Sequence, residues 1–465
     1  MTHKKCSRGL IGICLLFAAT LAVPASAEWK EKVLYSFQGG SDGATPAGGV
    51  AFDKKGNLYG ATTDGGSACP SPGCGTVFQL TPPAKKGAGA WTETILYGFG
   101  GSDGSQPAGG VIMDAKGNLY GTTAYGGSGT CILLGSNVGC GIVYELSPPA
   151  QQGGKWTYIV LYNFQGGKDG QYPRGDLIFD RAGNLYGATV YGGGYGTCNA
   201  PYFQYCGTIF KLNPPKKKGG KWEEKVLHSF RSVKAGKQFG DGANPNGGLV
   251  LDNTGTIYGT TYFGGNNVKG ECEGGVGGTG CGVVFALQPP TTTGGRWTEK
   301  TIHRFDGQDG ANSTAGVVFD GNGNLYGTTF FGAGPYGLVF ELKKPSGAAY
   351  SWTETVLHRF RDGNDGANPA SGLVLDANGN VYGTAFRGSV DSRYGDVFRL
   401  KPPSGSQRSW TSVVLYGFHI RSGGGQPMAD LAPNGDANFY GTTLYGGTGT
   451  GCGSGACGTV FEVRP

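Results

Sequence analysis

"GNLYGTT" spans Gly117–Thr123, and near copies recur along the chain: "GNLYGAT" from Gly56 and from Gly183, "GTIYGTT" from Gly255, "GNLYGTT" from Gly323, "GNVYGTA" from Gly379 and "ANFYGTT" from Ala437. A catalytic motif normally occurs once in a domain, because its partners converge on one reacting centre. An element that buries its neighbour's apolar face occurs once per structural unit. Seven copies therefore mark a building block.

The rest of the unit can be read outward from that phrase. All seven tryptophans (Trp29, Trp91, Trp156, Trp222, Trp297, Trp352, Trp410) stand at one repeat position, each followed eight residues later by Phe (Phe37, Phe99, Phe164, Phe230, Phe305, Phe360, Phe418). "WTETILYGF" reads as an alternating strand offering one large aromatic face. A polar turn follows, usually Asp-Gly and often with Pro, then a short glycine-opened strand ("GGVIMD") and a four-residue turn ending in Gly-Asn. After the repeated phrase comes a last strand such as "GTVFQL", stopped by Pro-Pro in most copies. Six residues before the repeated Tyr stands Asp53, Asp114, Asp180, Asp252, Asp320 or Asp376, with Asn434 in the seventh unit. Such a side chain caps the turn by accepting backbone amides.

Four short strands joined by turns form an antiparallel meander, and a meander apolar on both faces must bury them against copies of itself. Radial packing as blades does this while leaving only short edges. The expected fold is all-β, a seven-bladed β-propeller of four-stranded antiparallel blades. An open β-solenoid is the alternative, but its strands are normally parallel with shorter periods. The glycine-rich strand, without Trp or Tyr, belongs nearest the axis, and the Trp-to-Phe strand outermost, where the gaps widen. Trp29 to Phe37 is then an orphan outer strand that completes the last blade. The seven repeated tyrosines (Tyr59, Tyr120, Tyr186, Tyr258, Tyr326, Tyr382, Tyr440) read as inter-blade packing, and the Gly after each as room for the neighbouring blade.

Taken together, "D-x-x-G-N-L-Y-G-T-T", a Gly-rich loop and "G-x-V-F-x-L" resemble the GloVer (Gloeo_Verruco) tandem repeat of bacterial exported proteins, over essentially the whole mature chain. The resemblance implies export and a repeat β architecture, and it implies no established enzyme activity. A looser similarity, to propeller repeats of the NHL type, supports placing the glycine-rich strand innermost.

The first 27 residues have a basic start (Lys4, Lys5, Arg8), an apolar run from Leu10 to Val23 and the small-residue exit Ala25-Ser26-Ala27. They read as a secretory signal peptide, with residues 28–465 as a single propeller domain. The expected location is secreted or periplasmic, with no membrane span in the mature chain. The formal charge of +6 includes three cations in that leader, so about +3 remains, which does not suit a nucleic-acid binder. Beyond Cys6 and Cys14 of the leader, ten cysteines fall into local pairs: Cys69/Cys74, Cys131/Cys140, Cys198/Cys206, Cys272/Cys281 and Cys452/Cys457. An even count in local pairs on an exported chain reads as five short-range disulfides, each a staple for its own loop.

Chemistry is best sought where one unit departs from the others. His228, His303 and His358 replace a repeated outer-strand Tyr and read as packing variants; no nucleophilic triad, HExxH or Walker loop occurs. The doubled Asp-Gly turns, Asp306/Asp309 and Asp362/Asp365, could offer oxygen ligands to Ca2+, but read better as turn caps. Gly49, Gly110, Gly248, Gly316 and Gly372 open the innermost strand in five units, whereas Asp176 and Asp430 hold that place in the third and seventh, with Arg174 beside the first. Acids where backbones converge should face a wet central channel. These three residues are the candidate ligand-binding set. The preferred expectation is a monomeric, non-catalytic binding or adhesion propeller for a glycan or protein, using the face that carries both the Asp-Gly turns and the cysteine loops. The alternatives are a polysaccharide-cleaving enzyme using the channel acids, and a structural envelope component.

Overall fold

The structure, a computed structural model, describes residues 28–465 apart from 86–88, 152, 195–198, 201–202, 205, 218, 232–239, 266–271, 273–279, 293, 347–350, 389–393, 421–422, 436 and 453–456. The expected signal segment and Cys198 lie outside the described residues. Seven antiparallel blades of four strands run outward in chain order, as in Ala51–Phe52, Leu58–Thr62, Thr76–Thr81 and Thr92–Gly98 of the first, and the third and sixth each add a short fifth strand, Gln171–Pro173 and Ala367–Pro369. The chain is thus an all-β, seven-bladed propeller. In the seventh blade Ala432–Pro433, Phe439–Thr443 and Thr459–Arg464 are completed by Lys30–Ser36, paired from Lys30 with Arg464 to Ser36 with Thr459. Among the described residues no helix is long and apolar enough to cross a membrane.

Apolar burial is divided among seven clusters, one in each gap between blades. Leu58 joins the cluster shared with blade 7 and Tyr59 the one shared with blade 2, as alternation requires. The outer strand does not alternate throughout. In every blade its register shifts by one residue at a β-bulge, as between Val33 and Tyr35. The bulge turns the second half of the strand over. Instead of sharing one aromatic face, Trp and Phe serve opposite gaps: Trp156 of blade 2 meets Tyr59 of blade 1, and Phe164 meets Phe210 of blade 3. The seven Phe make the same edge-to-face contact with the next blade, at centroid distances from 4.9 Å (Phe418–Phe461) to 5.3 Å (Phe99–Tyr144).

The glycine after each repeated Tyr serves a nearer neighbour than expected. Gly60 pairs across the ladder with Phe78 of its own blade, and a Cβ there would lie 2.6 Å from Phe78 Cζ. The bare backbone lets that ring lie across its partner strand and take the edge of Phe37 from blade 7.

One backbone link joins each blade to the next. Thr45, Gln106, Tyr172, Asn244, Asn312, Asn368 and Gln426, equivalent in the seven blades, all adopt left-handed φ between 52° and 61°, the extremes being Thr45 and Tyr172. Each donates its N–H to the preceding blade, Thr45 to Cys457 O at 2.8 Å and Asn368 to Tyr336 O at 2.7 Å, for example. Except after Asn312, a proline follows and seats on the preceding blade's glycine; a Cβ on Gly75 would lie 2.6 Å from Pro107 Cδ.

The cysteine pairs are bridged as Cys69–Cys74, Cys131–Cys140, Cys272–Cys281 and Cys452–Cys457, and Cys206 is disulfide-bonded too. Their role differs from the expected one of loop staples alone. Cys74 and Cys281 are buried members of the seam clusters, Cys74 between blades 1 and 2 and Cys281 between blades 4 and 5. Their carbonyls also carry the inter-blade link: Gln106 N donates to Cys74 O and Asn312 N to Cys281 O, both at 2.8 Å. The second cysteine of a pair immediately precedes the glycine that leads into the third strand, so the bridge fixes the carbonyl on which the next blade hangs.

Two outcomes check this account. Removing residues 28–37 should lower the melting temperature and promote self-association, because it bares the edge of Thr459–Arg464 and removes the buried Leu34 and Phe37. Gly327→Ala, whose Cβ would meet Phe340 Cζ at 2.5 Å, should cost about 1–3 kcal/mol in calorimetry.

Candidate functional site

Where the inner segments converge they enclose a space of about 80 Å³, room for a few waters, lined by Gly48, Gly109, Gly175, Gly247, Ala315 and their neighbours. Backbone crowding explains the small residues: a Cβ on Gly247 would lie 2.2 Å from Ala315 C. Asp176 and Asp430 both border this space, as does Arg174. Each acid reaches back to the equivalent glycine of the preceding blade: Gly110 N donates to Asp176 Oδ1 at 2.6 Å, and Gly372 N to Asp430 Oδ1 at 2.5 Å. Asp176 is half-buried and Asp430 is exposed toward the axial space. Desolvation raises Asp176, and desolvation followed by repulsion from Asp176 pushes Asp430 up to about 6. The structure thus brings the two acids into electrostatic contact across the axis. Arg174 forms no ion pair with Asp176 among the described residues; its charge acts on tyrosines instead.

Those tyrosines form a second feature that sequence reasoning missed. Tyr125 meets Tyr172 edge-to-face and Tyr191 lies tilted against Tyr172, with centroids 5.1 Å and 5.6 Å apart, around a small groove also lined by Gln171, Ile132 and Leu133. Burial raises Tyr191 to about 12, the neighbouring Tyr172 adding to the rise and Arg174 opposing it. Above the groove stands the hairpin Ile132–Leu133 and Ser136–Asn137, closed at its base by the Cys131–Cys140 disulfide. Its two-residue turn, Leu134-Gly135, has φ of 50° and 83°. A turn with both central residues left-handed favours Asn or Asp before Gly. Here that first place is a leucine, 79% exposed, beside Ile132, 55% exposed. Tyr172 is likewise bulky in a left-handed position that other blades fill with Asn, Gln or Thr. Two such residues beside one groove form the kind of backbone outlier that points to a site. The sequence did carry a signal, since "CILLGSNVGC" sets apolar residues where a turn should be polar.

The Asp turn caps hold: Asp53 Oδ1 accepts from Lys55 N at 2.8 Å and Asn57 N at 2.9 Å. The three histidines do more than pack, since His228, His303 and His358 pair with Asp241, Asp309 and Asp365 at 3.2, 3.0 and 2.9 Å. Asp309 and Asp306 exchange backbone-to-carboxylate bonds, as turn caps do. A further departure lies in "GDVF": Asp396 is wholly buried, neither carboxyl oxygen has a partner, and desolvation followed by repulsion from Asp365 holds it well above the usual range. Among the described residues no group of three or more His, Cys, Asp or Glu is placed to hold a metal ion.

The repeat has counterparts. A family model described as the Gloeobacter/Verrucomicrobia repeat matches residues 20–272 and again 271–465. The chain belongs to this repeat family. No curated protein matches this repeat protein. Similar solved structures include the PQQ-bound aldose sugar dehydrogenase of Streptomyces coelicolor (13% identity, 94% of this chain and 99% of that one, TM-score 0.41). Another is the calcium structure of the family AA12 carbohydrate-active enzyme of Trichoderma reesei (12%, 94% and 96%, TM-score 0.42). A third is the Trypanosoma rangeli sialidase (10%, 94% and 60%, TM-score 0.42). Likenesses this distant carry no argument about what this repeat protein binds or does.

Because Asp430 is raised in the folded chain, the stability its neutral form permits is full below the ordinary 3.8 and lost as pH rises through about 6. The double variant Asp176→Gly/Asp430→Gly should therefore melt a few degrees above the parent at pH 7 and show no such gain at pH 4, as read by calorimetry.

Proposed function

We propose that this repeat protein is an exported, non-catalytic binding propeller whose partner is a protein or peptide segment seated in the Tyr125–Tyr172–Tyr191 groove beneath the Ile132–Asn137 hairpin. One observation carries the reading: two of the four large apolar side chains exposed among the described residues, Ile132 and Leu134, stand on one disulfide-closed hairpin over three tyrosines in ring-to-ring contact. Tyrosine and arginine dominate the energetic centres of protein interfaces, and a protruding leucine gains only from an apolar receptor. Closure by Cys131–Cys140 limits the ordering cost on binding. Disulfides and the lack of a spanning helix among the described residues fit an extracellular setting. Polysaccharide cleavage at the axis is the weaker reading, since Asp176 and Asp430 each engage a backbone N–H of the preceding blade, Gly110 and Gly372, through Oδ1.

Leu134→Asn separates binding from folding. Asparagine suits the left-handed turn, so the variant should match or exceed the parent's melting temperature while losing at least about tenfold in affinity for peptides selected from a display library on the parent. Equal affinity of variant and parent would move the site elsewhere, and selection of glycans rather than peptides on parallel arrays would change the ligand class.

A further inference from the structure

At the outer rim of the blade gaps a cluster of groups recurs. Two residues before the repeated Phe, a Tyr or His holds the Asp of the following Asp-Gly turn: Tyr35 OH donates to Asp42 at 2.6 Å and Tyr162 OH to Asp169 at 2.7 Å, and the three His–Asp pairs are equivalent. From the next blade's outer strand, two residues after its Trp, a glutamate comes against that pair: Glu93 on Tyr35–Asp42, Glu224 on Tyr162–Asp169, Glu299 on His228–Asp241, Glu354 on His303–Asp309. Oε1 of Glu93, Glu224 and Glu354 is buried without a hydrogen-bond partner. At the Glu93 and Glu224 seams no cation among the described residues acts on the glutamate, and two carboxylates drawn from water into one such seam do not both ionise.

We propose that Glu93 and Glu224 are proton latches: the seams between blades 7 and 1 and between blades 2 and 3 are closed around neutral carboxylic acids, and ionisation of these glutamates prises the seams apart. Such a device suits the chain to acidic or neutral surroundings and loosens its rim in alkaline ones. At these two seams the groups facing the glutamate are Asp42 with Tyr35 and Asp169 with Tyr162. The Glu299 seam adds His228 and Arg304, and the Glu354 seam adds His303, Asp306 and Arg359, whose own titration would mix with the effect. Desolvation first, and then the neighbouring aspartate, places both Glu93 and Glu224 at about 8. The sign follows: stability contributed by the neutral form is full below the ordinary value of 4.5 and is lost as pH rises through about 8. The Asp169 turn leads directly into Gln171–Pro173, which carries Tyr172, so the second latch lies at the root of the tyrosine groove.

The test is Glu93→Gln/Glu224→Gln in the mature chain. Glutamine keeps the shape but cannot ionise. The variant should melt with the parent at pH 5 and clearly above it at pH 8.5. The infrared carboxylic-acid band of the parent at pH 7 should shrink in the variant. A melting difference that is the same at both pH values, or an unchanged infrared band, would overturn the proposal. A variant that fails to fold is replaced by the two single substitutions, read by the same band. None of these readouts involves a ligand, so they stand or fall apart from the binding site.

Discussion

Seven carbonyl oxygens, each accepting an N–H from a left-handed residue of the next blade, hold the ring in register. A non-glycine residue in that conformation costs roughly 1–2 kcal/mol, and a buried hydrogen bond returns about 1 kcal/mol net, so each link is nearly neutral in energy. Its value is geometric. The link fixes where the inner segment of one blade starts against the end of the last, and the Phe edge-to-face contacts, the proline seats and the crowded glycines at the axis all depend on that placement. Three of the seven positions are Asn, and in each the side chain adds a bond to a carbonyl of the preceding blade, as from Asn244 Nδ2 to Val190 O at 2.9 Å.

The division of apolar burial into seven gaps has an energetic side. Among the described residues none sits in a core common to all blades, so a substitution acts on one seam and its two flanking sheets. Near-identical seams also tolerate local exceptions. Blade 6 replaces the bonded hydroxyl pair seen in Thr62 and Thr76, 2.8 Å apart, with Ala385 and the unpartnered acid of Asp396, and the ring still closes.

How much of this was legible in the sequence follows from the range of each interaction. Blade number, strand order and the closing strand could be read because the phrase repeats and each strand alternates. The bulge could not, because one residue without a ladder partner leaves composition unchanged while reversing the strand's two faces; simple alternation therefore puts the Trp and Phe of "WTETILYGF" on one side. The role of Gly60 escapes the sequence for a similar reason, since its partner Phe78 is set by ladder register. Spacing pairs Cys69 with Cys74 and Cys272 with Cys281, but only the closed ring shows that Cys74 and Cys281 sit in seams and hand their carbonyls to the next blade. Asp176 and Asp430 stand out against five glycines, and the structure sets them together. The tyrosine groove and the Glu–Asp seams are hidden because their members come from different blades, as Glu224 and Asp169 do, and become neighbours only once the ring is closed.

The pairing of Lys30–Ser36 with Thr459–Arg464 sets an order of events in the making of the molecule. The propeller's first strand has no permanent partner until its last strand is available. Six blades can assemble as they emerge, but the growing arc has two raw ends, each able to recruit a stranger. Completion is therefore a single late step with a very large separation along the chain, and loop closure over that distance is slow compared with local hairpin formation. The molecule passes through a horseshoe before it becomes a ring, and the horseshoe is the form that a chaperone would have to shield.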